Sequence, residues 1–417
     1  MRFSLVSLLF VCLSLSSAWS QDLTRNGRLV IVGGALSSKN DEVFNQLLQS
    51  RKSRSELVVA IISAASSKPT FYADAFRDQL VERGLTRKNI IVVRLAVKDD
   101  STTPDVNEAD WAENGDLPVI KRQLERADIV WFSGGDQSRI TQVLYKDDHQ
   151  PTEALKALDA LLQRGGTIGG TSAGAAMMSE LMIVGGSSAG ALFKGVADED
   201  SVDQEGGPLL IGKGMGFFPF GIIDQHFDAK ARLGRLIVAL SSSPSAATGF
   251  GIDEDTALVV DLASQRASVA GPSRVTVVQS VQTENKKPPY SFEDIRISSL
   301  GSGDQINLSS MTCMPANDKK PTVGSEYYNI PSPSVTGALS GYGTLNQLLA
   351  VQLIDNAAAE SVTSFLFDEQ QALAYRLTFR QDETSKGFWC YRNGQEDHYT
   401  VIDALLSIQP VTISIGE

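Results

Sequence analysis

The chain has 417 residues, 42% of them hydrophobic, and a formal net charge of −12, a size that suits two domains. Its 37 basic residues form no cluster large enough to follow a phosphate backbone, so nucleic acid is excluded as a partner class. Three cysteines and three histidines offer no Cys/His cluster of the kind that holds zinc, and no metal or other cofactor is expected.

Residues 1–20 read as a targeting segment. Arg2 is its charged region, Leu5 to Leu15 its apolar core, and Ala18-Trp-Ser20 a small-x-small cleavage site. The apolar run is too short to span a bilayer, and no other run is long enough, so no membrane partner is expected. Cleavage after Ser20 would give a secreted or lumenal protein. Cys12 leaves with that segment. The remaining pair, Cys313 and Cys390, is then expected to form one disulfide in an oxidising compartment, two buried free thiols being the other reading. Asn307-Leu-Ser309 is the only N-glycosylation sequon.

Arg28-Leu-Val-Ile-Val-Gly-Gly34 reads as a buried strand entering a glycine turn, and the spacing of a dinucleotide-binding loop is absent there. Asn40 can cap a helix with Val43, Phe44, Leu47 and Leu48 on one face. Strand Leu57–Ile62, helix Thr70–Arg83, strand Asn89–Leu95, a surface loop or short helix over 98–116, helix Leu117–Arg126 and strand Asp128–Ser133 follow. Apolar β-branched strands alternating with amphipathic helices predict an α/β fold, a parallel sheet with helices on both faces. A helix with Leu155, Leu158, Leu161 and Leu162 on its stripe ends at Gly165, and a strand near Thr167–Gly169 leads to Gly170-Thr-Ser-Ala-Gly174. Further on, a helix over Ala229–Leu240 and strands within Thr248–Val260 and Arg274–Val278 continue the domain. The polar, proline-containing stretch 283–290 reads as a linker, which gives a signal at 1–20, a catalytic domain at 21–282 and a smaller β-rich C-terminal domain at 291–417. That tail shows short strand-like pieces, a helix near Leu345–Leu353 and no catalytic motif.

Strand, tight turn, serine, helix is the context in which a Gly-x-Ser-x-Gly box carries a nucleophile. The glycines let the backbone turn sharply, and N–H groups at the helix start can stabilise an oxyanion. A glycine-rich turn with a capping serine is the alternative. A second box, Gly186-Ser-Ser-Ala-Gly190, offers Ser188 but lacks the strand that leads into the first. A serine nucleophile needs a base. His149, in Lys146-Asp-Asp-His-Gln150, and His398, in Glu396-Asp-His-Tyr399, read as surface residues. His226 ends the apolar run Phe217–Ile223 abruptly, within Asp224-Gln-His226, and polar groups there are costly to bury unpaired. The orienting acid is to be found among Asp253, Glu254, Asp255 and Asp224.

Several motifs in one order then make a resemblance. Gly169-Gly-Thr-Ser-Ala-Gly-Ala-Ala176, Ser133-Gly-Gly-Asp-Gln137, Asp224-Gln-His-Phe227 with Arg232-Leu-Gly-Arg235, and Gly251-Ile-Asp-Glu254 resemble the cyanophycinase family over about Leu29 to Gln279. These are serine peptidases related to aspartyl dipeptidases. The resemblance implies a flavodoxin-like sheet of the class I glutamine amidotransferase type, with Ser172 as nucleophile, His226 as base and Glu254 as orienting acid. It also implies a substrate pocket of Gln137, Asp224, Gln225, Arg232 and Arg235, and a possible homodimer. Lys230 stands where an arginine is expected. Oxyanion donors would be the N–H groups of Ala173 and of Gly134 or Gly135, beyond strand ends. The implied substrate is a polymeric or small β-aspartyl peptide, multi-arginyl polyaspartate cut to β-aspartyl-arginine dipeptides. Arg232, Arg235 and Lys230 would meet its carboxylates and Asp224 a guanidinium. The tail lies outside the compact form of that family. Two other readings stay open: an α/β-hydrolase esterase using Ser172, Asp253 or Asp255, and His398; and a non-catalytic secreted binding protein.

Overall fold

A computed structural model describes residues 25–197, 205–243, 247–283, 285–331, 337–368, 373–392 and 396–412. The targeting segment and Cys12 fall outside the described residues. Among the described residues no helix is long and apolar enough to cross a membrane.

The first half alternates strand and helix as the periodicity predicts: β1 (Arg28–Val32), α1 (Asp41–Leu47), β2 (Val59–Ile62), α2 (Pro69–Glu82), β3 (Ile90–Val92), α3 (Pro118–Arg126), β4 (Ile129–Phe132), α4 (Gln137–Leu144), α5 (Glu153–Gln163) and β5 (Thr167–Thr171). Local signals set these bounds. Asn40 accepts the Val43 N–H, and proline opens both α2 and α3. The five strands pair in parallel in the order β3-β2-β4-β5-β1. β2 and β4 are buried along their whole length, because helices cover both faces. On one of those faces Phe76 stacks on Trp131 with ring centroids 4.5 Å apart.

The middle of the chain adds α6 (Ala173–Ala176), the hairpin β6 (Leu181–Gly185) and β7 (Leu210–Lys213), α7 (Ser188–Lys194) between them, β8 (Ile222–Gln225), α8 (Leu233–Ser242), β9 (Thr248–Ile252), β10 (Ala257–Asp261), β11 (Arg266–Ala270) and β12 (Val275–Gln279). The strands expected within Thr248–Val260 are β9 and β10, and they belong to different sheets. β9 pairs with β8 and β12, whereas β10 pairs with β1 and β11. Residues 253–256 therefore cross from one sheet to the other. α8 starts four residues later than its periodicity suggests, and residues 227–231 form a turn.

Beyond residue 290 come β13 (Phe292–Leu300), β14 (Gln305–Asn307), β15 (Thr312–Met314), β16 (Lys320–Pro321), α9 (Thr344–Gln347) running into a π-helical turn at Leu348–Ile354, β17 (Ser361–Asp368), β18 (Leu373–Arg380), β19 (Lys386–Arg392) and the long β20 (Glu396–Thr412). Strands from both sides of the expected boundary pair with each other. β13 pairs with β12, and β14 with β11. Hence the first sheet reads β15-β14-β11-β10-β1-β5-β4-β2-β3, and the second β16-β19-β20-β13-β12-β9-β8, with β17 and β18 attached at β20. One buried cluster spans α8, β13, α9, the π turn and β18 to β20, so tail and middle share a core.

The expected disulfide is absent: Cys313 and Cys390 are both free thiols. Cys313 lies on β15 in the first sheet and Cys390 on β19 in the second. β15 and β19 do not pair with each other, so no strand register sets the two thiols side by side as a disulfide needs. Burial pushes the Cys313 thiol up to about 12, so it stays protonated and unreactive at neutral pH.

Candidate active site

The site forms where strand ends of the two sheets meet. β5 of the first sheet delivers Ser172, held at φ 54° and ψ −112°, a strained conformation for a residue with a side chain. The chain reverses there because two glycines allow it. A Cβ on Gly170 would stand 2.3 Å from the Gly174 carbonyl oxygen, and one on Gly174 would stand 2.6 Å from that of Phe132. Ala173 opens α6, so its N–H has no intrahelical acceptor. Gly134, after β4, lies against Ser172: a Cβ on it would be 3.7 Å from Oγ.

β8 and β9 of the second sheet deliver the partners. His226 Nε2 lies 2.9 Å from Ser172 Oγ, and its Nδ1 lies 2.6 Å from Glu254 Oε1. The hydroxyl of Ser172 is also 3.4 Å from Gln225 Oε1, a longer contact than that to the imidazole. Burial lowers the His226 pKa, Arg232 and Lys230 add to that, and the Glu254 carboxylate opposes it. The ring is therefore neutral at pH 7 and can accept a proton at Nε2. The His226 N–H donates to the Gly33 carbonyl at 2.6 Å, and the Asp255 N–H to that of Gly34 at 2.8 Å. The turn after β1 thus carries both loops. A side chain on Gly34 would collide with the imidazole, its Cβ 2.3 Å from Cε1. The sequence reading treats Gly33 and Gly34 only as a turn. Their glycine pair at a strand end was the available signal.

A pocket of about 90 Å³ opens beside Ser172 and is lined by Gln137, Glu205, Gln225, Lys230 and Arg232, among others. Gln137 is buried and its amide donates to the carbonyls of Ile183 and Val184 at 2.9 and 2.7 Å, which braces β6 over the pocket. Asp224 is not free for a substrate guanidinium. It is 1% exposed, and Arg235 grips it in a two-bonded pair, Nε to Oδ2 at 2.8 Å and Nη2 to Oδ1 at 2.5 Å. Arg235 also donates to the Gly186 carbonyl at 2.6 Å, so all three guanidinium nitrogens are engaged within the protein. Arg232 occupies the position before α8, donates to the Gln225 carbonyl, and lies 3.7 Å from Glu205. Burial and the neighbouring Arg235 lower its pKa to about 10, which leaves it charged. Lys230 meets Glu205 at 3.1 Å. Glu205, which no motif pointed to, therefore sits on two of the three cations that line the pocket.

The remaining candidates lie elsewhere. Ser188 is buried: it donates to the Ala231 carbonyl at 2.5 Å and accepts the Gly234 N–H at 2.9 Å. The second box is thus structural, with Ser187 capping α7 and Ser188 holding α8. His149 lines a separate, larger groove. His398 sits on β20 opposite Cys390, with Glu396 at 3.8 Å. Asp255 accepts from Ser37 N–H and Asn40 Nδ2 at 2.8 and 2.9 Å, and Asp253 is buried. The acid–base set of the esterase reading is not brought to Ser172.

Residues 29–266 match the family model described as peptidase family S51. A cyanophycinase of Nostoc sp. is 29% identical over 297 residues, covering 69% of this chain and 88% of the relative. A cyanophycinase of Geminocystis herdmanii is 28% identical over 287 residues, covering 67% and 93%. Among solved structures, a peptidase from an acI-B1 Actinobacterium is 20% identical with a TM-score of 0.45, covering 68% of this chain and 97% of that one.

Proposed function

This chain belongs to peptidase family S51 and is a serine-type peptidase similar to cyanophycinases, and from that premise we propose that Ser172, His226 and Glu254 are its triad and β-aspartyl-arginine polymer its substrate. The observation that carries the reading is the unbroken relay from Ser172 Oγ to His226 Nε2, 2.9 Å, and from His226 Nδ1 to Glu254 Oε1, 2.6 Å. Ser172 Oγ attacks the amide carbonyl carbon while His226 Nε2 takes its proton. Glu254 holds the imidazole in the Nδ1–H tautomer and stabilises the imidazolium that forms. The N–H groups of Ala173 and of Gly134 or Gly135 receive the oxyanion. His226 returns the proton to the departing amine, and the C–N bond breaks to leave an acyl-enzyme. Water, deprotonated by the same histidine, then releases the acid and restores Ser172.

Lys230 and Arg232 are the charges proposed to meet an arginine α-carboxylate of the substrate, in exchange for Glu205. The parallel order β3-β2-β4-β5-β1, with the nucleophile beyond β5, supports placing the sheet in the class I glutamine amidotransferase type. The targeting segment supports secretion. A dipeptidase of the same family is the second reading, favoured by the small volume of the pocket. Purified protein is to be incubated with cyanophycin, with β-aspartyl dipeptides and with simple esters. Release of β-aspartyl-arginine from the polymer is expected, and Ser172→Ala should lower turnover by several orders of magnitude while Ser188→Ala, if it folds, keeps most of it. Cleavage of dipeptides alone would move the assignment to the dipeptidase.

A further inference from the structure

Glu254 makes no side-chain hydrogen bond among the described residues except that to His226, so its position is inherited from its neighbours. On one side, Asp255 is tied to Ser37 and Asn40, in the segment between β1 and α1. On the other, Asp253 is 3% exposed, and its Oδ2 accepts Ser273 Oγ at 2.7 Å, Arg274 N–H at 3.2 Å and Asn346 Nδ2 at 3.0 Å. Its Oδ1 accepts the N–H of Asp228, two residues after His226, at 3.0 Å. Asn346 reaches both loops: its own N–H points at Asp228 Oδ2 at 3.4 Å. The Leu345 N–H approaches Asp228 Oδ1 at the same distance. Ser299 Oγ donates to Asn346 Oδ1 at 3.0 Å and so fixes which end of the amide faces Asp253. The approach of this segment is close, since a Cβ on Gly341 would stand 2.5 Å from the Ala229 carbonyl oxygen. Asn346 lies beyond the family match, which ends at residue 266.

We propose that Asn346 is a positioning residue for the catalytic pair: by joining Asp228 to Asp253 it locks the loop after β8 to the loop after β9 and sets His226 against Glu254. The inference rests on the triad proposed above. A buried carboxylate that loses one donor turns toward the others, and Asp253 is the residue joined directly to Glu254. Asn346 never touches substrate, so its effect travels through the orientation of the acid and the base.

The test uses the full chain and the rate at which diisopropyl fluorophosphate labels Ser172, which requires the base but no knowledge of the natural substrate. Asn346→Ala is expected to slow labelling at least tenfold. Asn346→Asp keeps the shape but replaces the donor with a second carboxylate beside Asp253, and should slow it further. Leu349→Ala, a buried residue of the tail core that makes no hydrogen bond to either carboxylate through its side chain, should lower Tm while labelling stays within twofold of the parent. The charged groups facing His226 are Glu254, which raises its pKa, and Arg232 and Lys230, which lower it. Loosening Glu254 therefore moves the pH of half-maximal labelling downward in Asn346→Ala, a change that a loss of packing alone would not produce. Should Asn346→Ala fail to fold, Ser299→Ala, which frees the amide to turn, is expected to show the same two changes at smaller size. Unchanged labelling in whichever of these two variants folds overturns the inference. So does a Leu349→Ala variant slowed as much as Asn346→Ala at equal loss of Tm. If the parent itself is not labelled, the triad falls and this inference with it; a labelled parent with an unaltered Asn346→Ala refutes the positioning role alone.

Discussion

Gly34 shows how much of a catalytic geometry rests on an atom that is missing. It holds φ +117°, and a Cβ there would be 2.4 Å from His226 Nε2, so the ring can stay beside Ser172 only while position 34 is glycine. Gly34→Ala is expected to lower kcat/KM about 100-fold or more, the scale of a displacement near 1 Å in a reacting group. Steady-state kinetics beside a thermal melt will separate this from unfolding. His226 carries a second expectation. Burial holds its pKa below the ordinary 6.5, so kcat/KM should fall only as pH drops through a value lower than that. An acid limb at or above the ordinary histidine value would contradict the buried, neutral base. Arg235 illustrates where a sequence reading of charge misleads. Two arginines three residues apart suggest one cationic face for substrate, yet Arg235 is spent on buried Asp224. Arg235→Ala should therefore destabilise the fold, by about 3–5 kcal/mol for a buried pair that loses one partner, with Arg232 at 3.8 Å the remaining cation on Asp224. Denaturant melts at neutral pH measure it.

At the scale of elements, periodicity and turn chemistry recover most of the first half, because every strand but the edge strand β3 is almost wholly buried and the helices turn apolar residues to the sheet. Ser172, His226 and the acidic run containing Glu254 are legible for the same kind of reason: polar side chains appear where an apolar run stops. What stays hidden is which sheet each piece joins. Nothing in Thr248–Val260 announces that the strands on either side of residues 253–256 lie in different sheets, since both are apolar. The start of α8 is likewise obscured, as Ala231 adopts φ 52° in a turn that its composition does not betray. The carboxylates at these junctions carry a testable signature. Burial, with Asp253 adding to it, raises Asp228 from 3.8 to about 6. Between those values the native state holds more protons than the unfolded chain, so this contribution to stability is complete below about pH 4 and lost as pH rises past 6. Subtracting Asp228→Asn cancels the other carboxylates. The parent should lose on the order of 3 kcal/mol relative to the variant between roughly pH 4 and 7, read from denaturant midpoints at each pH.

For the whole molecule, the proline-containing stretch at 283–290 suggests separable halves, but strand pairing across it does not. β12 pairs with β9 on one side and β13 on the other, and β13 pairs with β20 along most of its length. Composition changes at a linker are local, whereas pairing partners far apart in sequence are not written in any one segment. A chain ending at Gln282 would leave β12 as a bare apolar edge and expose the core shared with α8. It is expected to aggregate or to lack a cooperative melt. A soluble, cooperatively melting and active fragment would restore the two-domain picture.

The crossing at 253–256 has a further consequence, one of timing. Ser172 belongs to the first sheet, His226 and Glu254 to the second, and the second is completed by β20, which ends at Thr412. A chain emerging from the ribosome presents its serine long before the strands that hold the histidine in place can close. Pairings this distant in sequence form late. The Ser172–His226 pairing is thus expected to form only once β20 has been made, and a nascent chain arrested before residue 396 should leave Ser172 unreactive toward diisopropyl fluorophosphate.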